Sequence, residues 1–547
     1  MPPRLKGKQY INPRLGANGL NLKDPSHAIG EFQLRVANAA FLNEGGVESM
    51  YGYGKFSEDD SKKGGINMIH GFSKSDGTNQ LVFMHADNYY WLPVNAAPND
   101  PWNLIGNYGT ETNLAHAATY NNLTIFGTGV SGNTPKKWDG TNFTDISTPA
   151  NGTEDLSFFA FFQGQDFAAL FGAGDPTAPS RLYYCATDNP DDWSPGGGGG
   201  FIDIAKDDGE IITGLVAQGE QLIVYKGKNR YYLKTFYESS AGVYGLRVSP
   251  FTDNSGGAVA HDTIKVTFDG DVTALARKGI GLQGVGKLQS ADGSLVPKEY
   301  SRDVIPLFNQ INYASAILSK AVVFDRKVWL SVPFGRGQTS NNFVLIYDID
   351  QNGWTVVPDW PVASFEIFVD ENGDDALYWG HANRPAIFKM DENNFTFDGE
   401  IIPFKARTGR INVGNIIDRE DITVCALEGG KQEGDELTLT FISDGVESQY
   451  TIDDSFIVNT ADGSGYIGTD YIADEYIGSG SPIENLPRWL AVFLVPQGQR
   501  LAREFEFQVE NENTGARVSW NHLSIDEIGI DDAKVLPPRH IIELPKL

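Results

Sequence analysis

One unit recurs along this chain about every 40 to 50 residues. An apolar strand runs into a Gly/Asn/Asp turn, a second apolar strand follows, and an aromatic residue stands near the closing turn. Leu123–Gly127 leads to Trp138–Gly140, Gln221–Tyr225 leads to Tyr231–Leu233, and Lys327–Leu330 leads to Leu345–Asp348 and then Trp354. A strand-built repeat of this length predicts radially stacked four-stranded blades. The expected fold is mainly β: a β-propeller-like body of six or seven blade-like units, followed by a C-terminal β-sandwich or small barrel.

The 547 residues exceed one ordinary core, and 61 glycines punctuate the short strands. Residues 1–60 read as an irregular leader, with a short helix predicted from Ser26 through Val36. Blade-like units are expected near 65–94, 113–146, 156–204, 210–236, 256–284, 317–357 and 361–390, making a propeller domain of 61–395. An insertion near 286–316 interrupts the series, and a helix-like stripe of Val304, Ile305, Leu307, Phe308 and Ile311 lies around it. Beyond residue 395 alternation is stricter, as in Leu437–Ile442 and Glu504–Val509, and 396–547 reads as a separate β domain. Within it Tyr466-Ile467, Tyr471-Ile472 and Tyr476-Ile477 recur every five residues. That spacing fits neither helix nor strand and suggests an exposed loop, a candidate contact surface.

Lys and Arg number 43 against 71 Asp and Glu, a formal net charge of −28. Affinity for phosphates comes from Lys and Arg, so such a chain is not expected to grip nucleic acid. The surplus serves solubility, or a function that requires repelling a polyanion. Cys185 and Cys425 are far apart in sequence, which predicts two free, buried thiols and no disulfide scaffold. The basic start at Met1–Lys8 lacks an apolar stretch behind it, so no secretory signal is expected, and no window suits a membrane span. The Asn-x-Thr sites at Asn122, Asn142, Asn151 and Asn394 then carry no glycan meaning.

No catalytic, cofactor-binding or metal-binding residue is expected. His70 and His85 fall on adjacent strands and read as hydrogen-bonded strand-end histidines. Asp370–Asp375 resembles a calcium loop, but its twelfth position is His381 and its sixth is Asp375, so a hairpin turn is the better reading. Gly196–Gly200 is followed by no Lys-Ser/Thr and is not a phosphate loop; flexible linking or close approach to a neighbouring chain is expected. No carboxylate pair of a propeller glycosidase stands out, and the Ser-x-Asp-x-Gly-x-x-Trp box of sialidases is missing. Tyr347-Asp348 with Asn352 and Trp354 reads as a kelch-like strand–turn–strand, with Trp354 filling a blade interface.

The leader carries a further pattern. Gly19-Leu20-Asn21-Leu22-Lys23-Asp24-Pro25-Ser26-His27-Ala28-Ile29 is followed by Ala37-Asn38, Gly45-Gly46-Val47-Glu48 and Tyr51-Gly52. Gly219–Tyr225, Ile305–Phe308 with Ile311-Asn312, and Val328–Gly335 before Leu345–Asp348 follow in order. This resembles the tail nozzle (tail tube B, or tail hub accessory) proteins of short-tailed bacteriophages, over most of residues 15–400. Where those proteins often carry Arg after the Gly-Gly-Val, this chain has Tyr51 and Tyr53.

The resemblance implies a structural, non-enzymatic protein of the virion tail, assembled in the host bacterial cytoplasm. It implies a homohexameric ring forming the distal part of the DNA-ejection channel and no cofactor. The implied partners are other copies of the chain, the tail adaptor protein, tail fibres or needle, and DNA that passes without specific binding. Leu20, Asn21, Asp24, Pro25, Gly45 and Gly46 are the candidate assembly contacts. Tyr466, Ile467, Tyr471, Ile472, Tyr476 and Ile477 form the candidate fibre or partner loop. The alternatives are a tail-borne propeller glycan depolymerase and a receptor-binding adaptor.

Overall fold

A strand that is apolar on consecutive residues must be covered on both faces, because successive side chains point to opposite sides of a sheet. Gln80–Met84 and Gln221–Tyr225 are such strands, and their partners show how the cover is supplied. Leu81 and Phe83 pack with Ile387 and Phe368. Val82 and Met84, on the other face, pack with Phe126 and Trp138. Leu222 and Val224 join Leu170 and Leu182, whereas Ile223 and Tyr225 join Ile264 and Val272. The core is therefore a series of layers between neighbouring sheets.

The computed structural model describes residues 9–454 apart from 13, 31, 44–45, 110–113, 147–154, 165–166, 239–242, 252–256, 277–280, 290–294, 412–419, 422–423 and 432–435. Beyond these it describes 488–494, 501–502, 505–511, 518–526 and 541–542. The chain divides into two compact units. One comprises Lys55–Leu345 and Asp359–Met390; the other comprises Met1–Gly54, Ile346–Pro358 and Asp391–Leu547.

The first unit is the propeller. Blade 1 holds Ile66–Ser73, Asn79–His85, Asn88–Pro93 and Asn103–Asn107. Blade 2 holds His116–Tyr120, Leu123–Gly127, Lys136–Trp138 and Phe143–Asp145; blade 3 holds Phe158–Gly164, Phe167–Ala173, Arg181–Tyr184 and Gly200–Asp203. Blade 4 holds Ile212–Gln218, Gln221–Lys226, Arg230–Glu238 and Val243–Pro250; blade 5 holds Lys265–Val266, Val272–Ala276, Gly281–Gln289 and Leu295–Glu299. Blade 6 begins with Lys320–Phe324, Lys327–Val332 and Phe343–Asp348, and within this last strand the chain leaves the unit at Ile346 to return at Asp359. Blade 7 holds Val362–Val369, Asp375–His381 and Ala386–Met390.

The first strands of successive blades adjoin in sequence from blade 1 to blade 7, and that of blade 7 adjoins that of blade 1. The blades thus close into a ring of seven. Blade 7 takes its fourth strand, Tyr53–Glu58, from the start of the chain. Phe56 on that strand meets Tyr378 edge to face at 5.0 Å and shares a core with Ile66 and Leu81 of blade 1. Hydrogen bonding between early and late segments fastens the ring.

Local chemistry sets the turns. His85 pairs with Asn88, leaving Ala86 and Asp87 as the hairpin turn, with Ala86 at φ 53°. At Asp370 the carboxylate accepts from the Asn372 and Asp374 amides at 2.8 and 3.1 Å, and Lys389 Nζ donates to it at 3.1 Å. This is the expected hairpin turn, with Val369 and Asp375 paired across it. The glycine run is packed on its own blade rather than serving as a free linker. A Cβ on Gly199 would stand 2.7 Å from the Trp193 backbone, and Gly198 has φ 100°. The expected insertion at 286–316 instead takes in the end of Gly281–Gln289 and all of Leu295–Glu299, the outer strands of blade 5, and the helical stripe shortens to Ile305–Phe308 after a 3-10 turn.

Among the described residues, the second unit has two large sheets, besides the short pairs Glu420–Asp421 with Leu501–Ala502 and Thr396–Phe397 with Glu400–Ile401. One runs in the order Ala40–Asn43, Gly46–Ser49, Val518–Asp526, Val424–Lys431, Arg488–Leu494, Ile541–Ile542, with Gln9–Asn12 also on Val518–Asp526. The other contains Gly353–Pro358, Leu34–Asn38, Lys405–Thr408, Phe505–Asn511, Leu437–Ser443 and Val446–Ile452 in that order. The leader is thus no separate arm. The helix expected from Ser26 is instead a turn followed by the strand Leu34–Asn38, whose backbone pairs with Lys405–Thr408. Tertiary pairing overrides the short helical pattern there. Trp354 is buried in this unit, and its carbonyl accepts from the Leu20 amide at 2.9 Å. Both cysteines are free and buried.

Two outcomes follow from the propeller's packing. Phe56 is 7% exposed, so Phe56→Ala should lower unfolding free energy by about 3–5 kcal/mol in equilibrium denaturation. Leu104→Ala, at a position 61% exposed, should change it by less than about 0.5 kcal/mol. His381 Nδ1 accepts from the Asn383 and Arg384 amides at 3.0 Å each. Burial, with Arg384 adding to it, pushes the imidazole down from 6.5 to about 4. The unfolded chain takes up this proton first, so the contribution is complete above the ordinary value and lost as pH falls from 6.5 toward 4. The denaturation midpoint should drop across that window, with a slope of at most about 1.4 kcal/mol per pH unit from this group, and His381→Gln should flatten it.

Candidate functional site

The first residues of the propeller's inner strands gather at one end of the ring. His116 opens the inner strand of blade 2, Phe158 that of blade 3 and Lys320 that of blade 6. A 3-10 turn, His261–Thr263, stands just ahead of the inner strand of blade 5. Ala260 ahead of it is extended, at φ −148°, and Thr263 ties the turn down by donating its hydroxyl to the Ala260 carbonyl at 2.8 Å. The turn reaches blades on both sides of its own. Nδ1 of His261 accepts from the Leu215 amide of blade 4 at 3.3 Å. The His261 ring stacks on Phe158 with centroids 4.7 Å apart and meets the His116 ring edge to face at 5.3 Å. Asp262 Oδ2 lies 2.9 Å from His116 Nδ1 and accepts from Lys320 Nζ. A turn that touches blades 2, 3, 4 and 6 at once crosses the ring axis, so this cluster closes that end.

The electrostatics follow from crowding. Burial opposes ionisation of Asp262, but His116 and Lys320 outweigh it and hold the carboxyl well below its usual range. Burial pushes His261 down to about 3 against the pull of Asp262, with repulsion from His116, Lys265 and Lys320 added to it. His261 is therefore a neutral imidazole at ordinary pH. The Asp262 side chain keeps 22% of its surface exposed, against 6% for Lys320 and 8% for His116. The carboxylate is thus the most exposed of the three side chains, and its two basic neighbours are the more deeply buried.

A cavity of about 440 Å³ on blade 3 is lined by Asp175, Thr177, Ser180, Arg181, Tyr183, Asp203 and Lys206. Its charges are taken up locally. Asp175 accepts from the Thr177 amide and hydroxyl and from Tyr183 Oη, and Arg181 donates to both oxygens of Asp203 at 2.8 and 3.3 Å. Next to it, Lys226 is fully buried and donates to Asp208 at 2.7 Å and to the Ile204 and Ala205 carbonyls at 2.8 and 3.1 Å. Lys226 Nζ also donates to Ser180 Oγ at 3.3 Å, and that hydroxyl donates to the Glu210 carbonyl at 2.9 Å. These are packing devices.

The residues named from sequence lie elsewhere. Leu20 is buried in the second unit. The buried Asn21 side chain donates to Asp24 Oδ2 at 2.9 Å and to Gln33 Oε1 at 2.8 Å, so both residues hold the leader in place. Asp24 is half-buried and Pro25 exposed, while Gly46 is buried at the head of a strand. Gly45 and the loop Tyr466, Ile467, Tyr471, Ile472, Tyr476 and Ile477 lie outside the described residues. His70 and His85 do not converge. His70 Nε2 is 2.8 Å from Thr119 Oγ1 and its Nδ1 3.4 Å from Glu366, whereas His85 Nε2 is 3.0 Å from the Lys63 carbonyl. Sequence reading missed His116, His261, Asp262 and Lys320. The one available signal was a polar residue opening an inner strand in more than one blade.

Replacing Asp262 by Asn should leave the Lys320 ammonium buried without its counter-charge. The expected loss is roughly 2–4 kcal/mol, less than for a fully sealed pair because Asp262 is partly solvated. Adding Lys320→Met should recover part of it, and a double-mutant cycle by chemical denaturation measures the coupling.

No family model matches the chain, and no curated protein matches it. Among solved structures, the chain is similar to the BBS1 N-terminal domain crystallised in complex with ARL6, at 12% identity over 59% of this chain and 90% of that one, with a TM-score of 0.37. It is also similar to the β-propeller domain of Cps50 (Swd1) from Myceliophteria thermophila, at 12% identity over 62% of this chain and 98% of that one, with a TM-score of 0.36. These solved structures are propellers, as is the first unit of this chain.

Proposed function

We propose that this chain is a structural subunit of a bacteriophage tail: the nozzle that, as a homohexamer, walls the distal DNA-ejection channel beneath the adaptor and docks fibres or needle. The observation that carries the reading is a closed ring of seven sheets in a chain of net charge −28. Blade faces spent on inter-blade packing make a stiff body. Because the His261–Thr263 turn crosses the axis, a genome does not run through the propeller; its path lies between copies arranged around a common axis. Acidic walls repel phosphates, and few basic contacts leave few places for DNA to stick. The ordered resemblance of the leader and blade motifs to nozzle proteins points the same way.

In this reading the protein has no catalytic role. Glycoside hydrolysis needs two carboxyl groups flanking one bond, and the axial cluster offers Asp262 alone, already matched by Lys320. Assembly takes place in the cytoplasm of the host bacterium and the product is carried in the virion. Among the described residues, no helix is long and apolar enough to cross a membrane.

Quantitative mass measurement of purified particles should find six copies per tail. A chain that stays monomeric and is missing from particles overturns the reading. Purified protein should also fail to retain duplex DNA at low salt. A dissociation constant tighter than about 10⁻⁶ M that weakens steeply with salt would mark a nucleic-acid-binding protein instead.

A further inference from the structure

Nδ1 of His116 is a buried nitrogen without a hydrogen-bond partner, although Asp262 Oδ2 lies 2.9 Å away. The approach is close enough for an ion pair but outside hydrogen-bond geometry. Such a nitrogen costs free energy unless something takes up its lone pair or its proton. One ring nitrogen of His116, one of His261 and a carboxylate oxygen of Asp262 all lie within 4.8 Å of one another. Their side chains come from blades 2 and 5, which the ring places apart, so the convergence is made by the axial turn alone.

We infer that His116, His261 and Asp262 form a binding site for a divalent transition-metal ion of the zinc class, seated at the closed end of the propeller axis. Two imidazoles and one carboxylate suit zinc, cobalt or nickel and not calcium or magnesium, which prefer an all-oxygen shell. Three protein ligands leave a fourth position for water. Bound there, the ion ties blade 2 to blade 5 across the ring.

Two groups compete with the ion. Lys320 donates to the same carboxylate and serves as the resident cation, so its ammonium must withdraw when the metal enters. Where Nδ1 of His261 is the ligand, it gives up the 3.3 Å contact from the Leu215 amide, which is long for a hydrogen bond. Both exchanges weaken binding, and the first makes a prediction of unusual sign: removing a buried lysine should strengthen the site.

The test uses the full chain, freed of metal with a chelator and carrying no histidine tag. Titration with Zn²⁺ by calorimetry, and with Co²⁺ by visible absorption, should show one saturable site per chain, with a rise in melting temperature on Zn²⁺ addition. His116→Ala should weaken binding by at least about tenfold, and Lys320→Met should tighten it by about tenfold, or roughly 1.4 kcal/mol. Circular dichroism verifies that each variant is folded; should His116→Ala not fold, the sign of the Lys320→Met effect and the Co²⁺ spectrum still decide. A site that binds with unchanged affinity in both variants places the ion elsewhere and overturns the assignment. So does the lack of saturable Zn²⁺ binding in both the unaltered chain and Lys320→Met.

Discussion

Strands whose alternate side chains are apolar on both faces have two outlets: burial between neighbouring sheets, or aggregation. Here each blade covers its neighbour, and the series ends only when the last blade covers the first. Leu81 and Phe83 face blade 7 while Val82 and Met84 face blade 2, so a single strand commits its sheet to two partners. An open row of seven sheets would leave two apolar faces bare. Closure removes both bare faces, and the strand Tyr53–Glu58 on blade 7 supplies hydrogen bonds that the last three strands could not provide among themselves. This makes the propeller depend on contacts between residues more than 300 positions apart, and ring formation should come late in folding, after the individual hairpins.

Much of the propeller was legible because hairpins are local. Apolar runs such as Gln80–Met84, turn residues such as Asp370 and Gly373, and the spacing between units are properties of short windows, and the structure follows them. The misread parts are those where distant chain decides. Leu34–Asn38 has a helical pattern by itself, yet it lies between Gly353–Pro358 and Lys405–Thr408 in a sheet. Residues 286–316 read as an insertion because Gly, Gln and Ser dilute the apolar pattern there. Gly196–Gly200 suggested freedom, but freedom from a Cβ also permits close packing, and the Trp193 backbone fills that space. The clustering of the leader and Ile346–Pro358 with the C-terminal part has no local signature.

The axial cluster illustrates the same limit for function. His116 and His261 are separated by 145 positions of sequence, and no spacing rule links them. Only the circular order of blades brings a strand start from blade 2 to a turn from blade 5. The arrangement also separates two meanings of the chain's acidity. Net charge −28 is a property of the whole chain, whereas the charge at the axis is locally balanced by Lys320.

This balance bears on the proposed role of the propeller as a subunit of a tube. If the ring axis were the conduit, the chemistry of the bore would have to tolerate passing phosphates, and a lysine and two histidines at its closed end would not. In the proposed nozzle, with the axis crossed by the His261–Thr263 turn, the interior serves rigidity alone and the acidic surface faces the channel between copies. Rigidity and repulsion are then assigned to different parts of one molecule: the first to apolar layers between blades, the second to carboxylates outside them. Burying even one unpaired carboxylate costs several kcal/mol, and a carboxylate that does enter the interior, such as Asp175, is held by hydrogen bonds from Thr177 and Tyr183.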